Sequence, residues 1–178
     1  MQDLRFPIGE FRFDKETAVE HRETWLEEIE VAPAQLRAAV EGLNAAQLDT
    51  PYRPEGWTIR QVVHHLPDSH MNSYIRFKLA LTEETPTIRG YDQDGWAQLE
   101  DGLRGPIELS LDLLEALHER WVYLLRSLDG SDFERSFLHP ELGSVSLWTN
   151  LAYYAWHGRH HITQITALRE RQGWGLTK

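Results

Sequence analysis

Residues 146–171 read SLWTNLAYYAWHGRHHITQITALRER and contain the two most informative features of this chain. The first is a helical spacing of apolar residues, which occupy Leu147, Leu151, Tyr154, Ile162, Ile165 and Leu168. This spacing predicts one amphipathic helix, and Gly173 is a suitable residue to end it. The second feature is a pair of histidines within that helix, His157 and His161.

Three further stretches show the same helical spacing, over about residues 15–43, 58–85 and 107–128. Thr58 and Gln61 have the spacing of a capping box, which predicts that the second of these helices begins there. Pro33 interrupts the first stretch and predicts either two helical pieces or one kinked helix. Pro67 raises the same alternatives in the second stretch, where a break would separate the residues on either side of it.

Four amphipathic helices of this length predict an all-α four-helix bundle that forms a single domain over residues 1–178. Residues 85–106 are expected to form a long irregular connection, with a short helical turn around Trp96. That length permits a crossover between the second and third helices, in place of a simple up-and-down order. No stretch shows the strong alternation that is typical of a half-buried β-strand.

The composition excludes several classes of function. The formal net charge is −10 without any run of Lys or Arg, so a nucleic-acid partner is not expected. No stretch approaches the roughly 18 apolar residues of a membrane-spanning helix, and the first residues lack the features of a signal peptide. The absence of cysteine excludes disulfides, zinc–thiolate sites and a cysteine nucleophile, and it fits a cytoplasmic protein.

His157 and His161 lie four residues apart and therefore share one face of the predicted helix. Both imidazoles can then reach one metal ion, as in many helical zinc sites. The chain has nine histidines, so pairs at this spacing also arise by chance. The alternative is therefore a structural or exposed pair, and a third ligand on a facing helix is what would distinguish the two.

His65 is the best candidate for that third ligand. On a helical wheel it forms one stripe with Ser69, Asn72 and Arg76. One interpretation is that this polar stripe simply faces water. The functional interpretation is that it borders a pocket, with His65 as a metal ligand and with Asn72 or Arg76 in contact with the substrate.

Three neutral histidines would leave a divalent ion with an open position, which is typical of a catalytic rather than a structural site. Imidazole ligands suit Zn, Ni, Cu and Fe alike. A zincin protease would need a glutamate directly after His157, where this chain has Gly158. Candidate bases elsewhere are Asp68, Glu83 and Glu84. His118 and His160 could form hydrogen bonds to the ligands.

Two motifs carry a family resemblance: GWTIRQVVHHL at residues 56–66 and WHGRHHITQI at 156–165. Together they resemble the DinB/YfiT-like superfamily of metal-binding four-helix proteins. QLDTPYR at 47–53 and DSHMNSYIRFK at 68–78 resemble the YfiT subfamily, and the similarity extends from Pro7 to Trp174. The resemblance implies a four-helix bundle whose metal is held by His65, His157 and His161. The clear departure from the subfamily is Pro67.

The resemblance implies a metal-dependent hydrolase that forms a homodimer. A small-molecule substrate and zinc, or alternatively nickel, are also expected. Related members of the superfamily are S-transferases that use thiols such as bacillithiol or mycothiol. A second function is therefore a thiol S-transferase with bacillithiol as co-substrate, for which Arg60, Arg76 and Arg89 are candidate anchors. A third is a non-catalytic module that binds a metal or a small molecule.

Overall fold

Four long helices form the frame of the molecule in a computed structural model that describes residues 3–175. They are α1 (Ala18–Val40), α3 (Ile59–Thr82), α6 (Ile107–Ser127) and α8 (Leu147–Gln172). Four short helices lie in the connections: α2 (Ala45–Leu48), α4 (Gln93–Ala97), α5 (Glu100–Arg104) and α7 (Gly130–Phe133). A hairpin of β1 (Ser136–His139) and β2 (Gly143–Ser146) precedes α8. The predicted four-helix bundle is confirmed.

The helix order includes the predicted crossover. Near the beginnings of α3 and α6, His64 Nδ1 lies 2.7 Å from Ser110 Oγ. Towards the ends of the same two helices, the rings of Phe77 and Trp121 lie 5.6 Å apart. The two helices are therefore parallel, so residues 83–106 must return along the length of the bundle. This connection contains α4 and α5, and α4 includes the predicted helical turn at Trp96.

α8 runs antiparallel to α3, which brings the two histidine-bearing stretches together. His65 contacts His157 across this interface, and Ser73 contacts Asn150 nearer the end of α3. α1 packs against both α6 and α8 on the other side of the bundle. Each of α1 and α3 thus lies between α6 and α8, and the two are diagonal to each other.

Both helices that contain a proline continue through it. α1 passes through Pro33, and α3 passes through Pro67 without interruption. The alternative of a break at Pro67 is therefore wrong, and the residues on both sides belong to one helix. The capping box at the start of α3 is confirmed. The main-chain N–H of Gln61 donates to Thr58 Oγ1 at 3.2 Å, and the main-chain N–H of Thr58 donates to Gln61 Oε1 at 3.0 Å.

The β1–β2 hairpin was not predicted from the sequence. Its strands have four residues each and pair antiparallel, with Ser136 opposite Ser146. So few residues cannot establish an alternating pattern, which explains why no strand was expected. Gly143 has a φ of 73°, the left-handed conformation that glycine adopts without strain. The hairpin also buries Phe137 in the core.

Two apolar clusters form the core, and a layer of buried histidines lies between them. One cluster includes Leu26, Phe77 and Trp121, and the other includes Leu36 and Leu66. His70 on α3, His118 on α6 and His157, His160 and His161 on α8 fall between residues of the first cluster and residues of the second. No helix within residues 3–175 is both long enough and apolar enough to span a membrane.

Candidate metal centre

The bundle brings His65, His157 and His161 together, as predicted. One ring nitrogen from each residue lies within 4.8 Å of the corresponding atoms of the other two, and all three side chains are buried. The Nε2 atoms of His65 and His157 are 3.3 Å apart. Histidines on two antiparallel helices therefore converge on one point in the middle of the bundle.

This donor set fits a tetrahedral divalent ion. Zinc–imidazole bonds of about 2.0–2.1 Å at the tetrahedral angle place two ligand nitrogens about 3.4 Å apart. The 3.3 Å between His65 Nε2 and His157 Nε2 matches that separation. Three imidazoles also leave room for a fourth, non-protein ligand. The residues present are thus suited to an open, catalytic type of metal site.

A chain of hydrogen bonds leads from His157 to the opposite side of the bundle. His157 Nδ1 lies 3.1 Å from His70 Nε2, and His70 Nδ1 lies 2.8 Å from His118 Nε2. His118 Nδ1 in turn lies 2.6 Å from the carbonyl oxygen of Ile29 in α1. α8, α3, α6 and α1 each contribute one residue, so all four long helices support the position of His157.

The carbonyl at the end of this chain fixes the tautomers. A carbonyl oxygen can only accept, so His118 Nδ1 must donate its proton to Ile29. In neutral imidazoles the remaining nitrogens then follow in order: His118 Nε2 accepts from His70 Nδ1, and His70 Nε2 accepts from His157 Nδ1. His157 Nε2 is left without a proton, and its lone pair is available to a metal ion.

Gln164 fixes the tautomer of His161 in a similar way. The Nδ1–H of His161 donates to Gln164 Oε1 at 2.9 Å, which leaves His161 Nε2 free to coordinate. The orientation of the Gln164 amide is set by its nitrogen, which donates to the Arg5 carbonyl and to His160 Nε2, both at 3.0 Å. His160 is therefore a hydrogen-bonding neighbour of the centre, as the sequence suggested.

Burial keeps these histidines neutral. It lowers the pKa of His65 to about 3 and that of His118 to about 4. Burial also holds the pKa values of His70, His157 and His161 well below the ordinary range, and neighbouring imidazoles lower them further. Since a metal ion binds only deprotonated imidazole nitrogen, the site is prepared for coordination at neutral pH.

Aromatic rings enclose the centre. The ring of Trp57 lies 4.7 Å from that of His65 and 6.4 Å from that of His161, measured between centroids. Tyr153 and Tyr154 lie 5.5 and 5.4 Å from the ring of His157. This apolar surrounding restricts the motion of the imidazoles and lowers the local dielectric constant.

Two of the cavities in the described part of the chain border the histidines of the centre. The larger has a volume of about 1080 Å³ and is lined by His157 and Arg76 among others. The smaller has a volume of about 460 Å³ and is lined by all three histidines of the centre. Gln93, Tyr153 and His157 line both cavities, so the two meet beside the centre. Small molecules can therefore approach it from two sides.

Of the two residues that the sequence proposed for substrate contact, one lines a cavity and the other does not. Arg76 lies in the wall of the larger cavity. Asn72 lines neither cavity, and its amide nitrogen donates to the Asp68 carbonyl in the same helix at 2.8 Å. The candidate bases Asp68, Glu83 and Glu84 also lie outside both cavity walls.

The candidate anchors Arg60 and Arg89 also lie outside the walls of both cavities. Arg60 is already paired, because it donates to the Asp49 carboxylate at 2.7 Å and to the Gly105 carbonyl at 3.0 Å. Arg89 is exposed in the long connection that follows α3. Of the three arginines that the sequence suggested, Arg76 is thus the one that borders a cavity.

The sequence missed His70, although it suggested His118 as a hydrogen-bonding neighbour. His70 is five residues after His65 and points to a different face of α3, so it lies outside the polar stripe that contains His65. A signal for His118 was present. It occupies a position in the apolar stripe of α6, between Leu114 and Trp121, and a buried histidine needs hydrogen-bond partners.

Comparison with known proteins agrees with this architecture. A protein from Bacillus cereus (strain 03BB102) is 54% identical over 174 residues, which cover 98% of this chain and 100% of that protein. A protein from Bacillus anthracis (strain A0248) is 53% identical over the same length and coverage. Both bear the name "Putative metal-dependent hydrolase".

Solved structures show the same fold. YfiT from Bacillus subtilis, described as "a probable metal-dependent hydrolase with an unusual four-helix bundle topology", superposes with a TM-score of 0.94 at 50% identity. The match covers 97% of this chain and 99% of YfiT. The four-helix bundle protein TT2238 matches with a TM-score of 0.57 at 19% identity, over 82% of this chain and 98% of TT2238, and supports the fold alone.

The match to a family model covers most of the chain. The model of the DinB superfamily matches residues 28–165, a range that contains His65, His157 and His161. Together with the relatives that match over almost their whole length, this shows that the chain belongs to the DinB superfamily.

Proposed function

We propose that this protein is a metal-dependent hydrolase in which His65, His157 and His161 bind one divalent metal ion. The donor set carries the proposal, because three buried imidazoles converge on one point. Hydrogen bonds hold the protons of His157 and His161 on Nδ1, which leaves the Nε2 atoms of both residues free to bind the ion. The names of the relatives support the same activity. Three neutral protein ligands also leave a coordination position open, as catalytic zinc sites require.

When bound, the ion supplies Lewis-acid chemistry, which makes water nucleophilic near neutral pH and polarises the bond to be cleaved. The side chains of the protein orient the ligand rings and enclose the site. His70 and Gln164 hold the ligand rings of His157 and His161 in place. Burial raises the pKa of Tyr153 to about 12, so its phenol stays protonated and can donate to a substrate oxygen where the two cavities meet.

The reaction that this arrangement supports is hydrolysis of an ester or amide. The water oxygen forms a bond to the carbonyl carbon, the bond to the leaving group breaks, and a proton from the water passes to the leaving group. The larger cavity has the volume of a typical small-molecule site. We therefore take the substrate to be a small molecule.

The test combines metal analysis with activity. Protein stripped with a chelator and reloaded with Zn²⁺ or Ni²⁺ is expected to hold about one ion per chain and to hydrolyse members of an aryl ester and anilide panel. His161→Ala should lose both the ion and the activity. His21→Ala, which changes an exposed histidine away from the centre, is the matched control and should retain both.

The outcomes distinguish the alternatives. Failure of the wild-type protein to bind an ion after loading would refute the centre. An ion bound by the wild type, together with equal hydrolysis by wild type and His161→Ala, would instead leave a non-catalytic binding module.

One observation favours a second candidate, a thiol S-transferase. Two cavities meet beside the three histidines, and a group transfer from thiol to electrophile needs room for two substrates. In this reaction the sulfur of bacillithiol releases its proton to water and forms a bond to the electrophilic carbon, and the chloride of a chloro-aromatic electrophile leaves. Turnover that requires bacillithiol, without ester or amide hydrolysis, would support this candidate over the hydrolase.

Zinc as the native ion, a homodimeric state and a cytoplasmic location belong to the same proposal. Zinc is favoured because three imidazoles at tetrahedral spacing are a common zinc donor set, with nickel as the alternative. Elemental analysis of protein purified without added metal tests the ion. Light scattering after size-exclusion chromatography tests the dimer.

A further inference from the structure

Among the residues that the structure describes, Arg76 is the half-buried arginine without an internal partner. No residue in the described range 3–175 forms a hydrogen bond, an ion pair or a cation–π contact with it. The other arginines that are not exposed donate to protein oxygens: Arg22, Arg53, Arg60 and Arg169 all bond main-chain carbonyls. Partial burial of an unpaired charge is costly, and a bound anion would offset that cost.

Arg76 lines the larger cavity, whose wall contains several aromatic residues beside polar ones such as Ser69 and Asn150. Phe11, Phe137, Tyr91 and Tyr154 line the same space. Burial raises the pKa values of Tyr91 and Tyr154, so both phenols remain neutral and contribute no charge of their own. The wall therefore offers flat aromatic surfaces together with one half-buried positive charge, which suits a planar apolar molecule that carries an anion.

The charge of Arg76 lies some distance along the bundle from the histidines of the centre. Arg76 lies eleven residues after His65 on α3, a distance of about 16 Å along the helix axis. On α8, Asn150 and His157 line the cavity seven residues apart, which is about 10 Å. His157 contacts His70, which lies six residues before Arg76, or about 9 Å along α3. A ligand that reaches from Arg76 to His157 therefore has roughly the length of two linked aromatic rings.

We propose that the larger cavity binds a carboxylate, with the carboxylate group on Arg76, a flat apolar body against the aromatic side chains of the wall and the reacting end at His157. This inference rests on the proposed hydrolase function for the reacting end, and it names the class of its substrate. Guanidinium geometry supports the assignment, because its planar fork matches the two oxygens of a carboxylate.

The charge balance of the cavity favours a carboxylate over a phosphate. Arg76 is the one cationic Lys or Arg side chain in its described wall, and the exposed acids Asp92 and Glu141 lie in the same wall. One positive charge with two acids nearby matches a single negative charge better than the doubly charged form of a phosphate monoester.

Equilibrium binding to three matched probes tests the proposal without relying on catalysis. The probes are biphenyl-4-carboxylate, biphenyl-4-carboxamide and biphenyl-4-yl phosphate, measured by calorimetry on chelator-treated protein and on zinc-loaded protein. The variants are Arg76→Gln and Arg76→Lys. Arg89→Gln, which removes an exposed arginine outside both cavity walls, is the matched control for net charge.

The wild-type protein is expected to bind the carboxylate most tightly of the three. Arg76→Gln should weaken carboxylate binding by roughly 10- to 100-fold, the range of a charge-assisted hydrogen-bonded pair, and leave amide binding within about twofold. Arg76→Lys should restore part of the loss, and Arg89→Gln should change nothing. Equal binding of carboxylate and amide, preference for the phosphate, or no binding of any probe would overturn the proposal.

The same experiment separates this inference from the proposed function. Carboxylate binding that depends on Arg76 in protein that fails to bind metal or to hydrolyse esters would retain the ligand class and refute the hydrolase. Hydrolysis by zinc-loaded protein with no effect of Arg76→Gln on binding or on KM would refute the ligand class and retain the hydrolase.

Discussion

The Nδ1 atom of His118 lies 2.6 Å from the carbonyl oxygen of Ile29, and this contact sets the proton positions in three histidines. Because the carbonyl can only accept, neutral His118 presents a lone pair to His70, and His70 presents one to His157. A backbone atom on α1 thereby determines which nitrogen of His157 is free. α1 supplies none of the three ligands, so its part in the centre is to fix a tautomer.

The first prediction concerns the loss of His118, the acceptor in the middle of this chain of hydrogen bonds. His118→Leu leaves His70 Nδ1–H without its partner, so His70 can shift its proton to Nε2 and His157 can then adopt the tautomer that does not coordinate. Zinc affinity is expected to fall roughly 10- to 100-fold, as it does when groups that orient metal ligands are lost. Competition with a chromophoric chelator measures the affinity.

His118→Gln is the conservative variant, since its side-chain oxygen can still accept from His70. It should retain more zinc affinity than His118→Leu. Proton–nitrogen correlation spectra of the metal-free protein provide a second readout: His157 should carry its proton on Nδ1 in the wild type and on Nε2 in His118→Leu. Equal affinity in all three proteins would show that the chain of hydrogen bonds has only a packing role.

The second prediction concerns Gln164, which holds His161 at 2.9 Å. Gln164→Met keeps most of the side-chain volume and removes the acceptor, so zinc affinity should again fall by about tenfold or more. Because Gln164 and His118 act on different ligands, the two losses in free energy should add in the double variant. A double variant no weaker than either single variant would contradict independent roles, and the chelator competition decides this as well.

The sequence predicted the parts of the structure that depend on local patterns or on pairs at helical spacing. Apolar spacing identified all four long helices, and the Thr58–Gln61 pair located the beginning of α3. His157 and His161 share a helix face for reasons of helix geometry alone. The crossover was anticipated from the length of one connection, which is a weak constraint that the parallel arrangement of α3 and α6 confirms.

What the sequence could not provide depends on contacts between distant segments. The hydrogen bonds that lead from His157 to Ile29 join four helices. No local pattern in the sequence relates residues that lie 87 or 89 positions apart. The β1–β2 hairpin is too short for its alternation to be read. Local propensity at Pro67 left a kink and a break as alternatives, and the burial of that residue among the packed helices outweighs the local cost of a continuous helix.

The third prediction tests the confirmed helix start. Thr58→Ala removes the hydroxyl that accepts from the Gln61 amide at 3.2 Å and leaves that amide without its cap. The free energy of unfolding is expected to fall by about 1 kcal/mol, the usual cost of losing an N-cap. Urea denaturation measures the change. Thr58→Ser keeps the hydroxyl and should stay close to the wild type, so equal losses in both variants would contradict the capping role.

The fourth prediction follows from the buried histidines of the metal-free protein. Their pKa values lie below the ordinary 6.5 in the folded state, to about 3 for His65 and about 4 for His118. Below pH 6.5 the unfolded chain therefore binds more protons than the folded one, and stability must fall as the pH falls. The loss is up to about 1.4 kcal/mol per pH unit for each such histidine.

Asp68 acts in the opposite direction, because burial raises its pKa to about 6 and its protonation stabilises the folded state as the pH falls from 6. Burial also raises the pKa of Glu28, and these two acids together offset only part of the effect of several histidines. Urea denaturation of chelator-treated protein between pH 7.5 and pH 5 should therefore show a steep decline in the free energy of unfolding. His118→Gln removes one of these histidines and should reduce the slope by about one proton, whereas a flat profile in the wild type would contradict a neutral histidine layer.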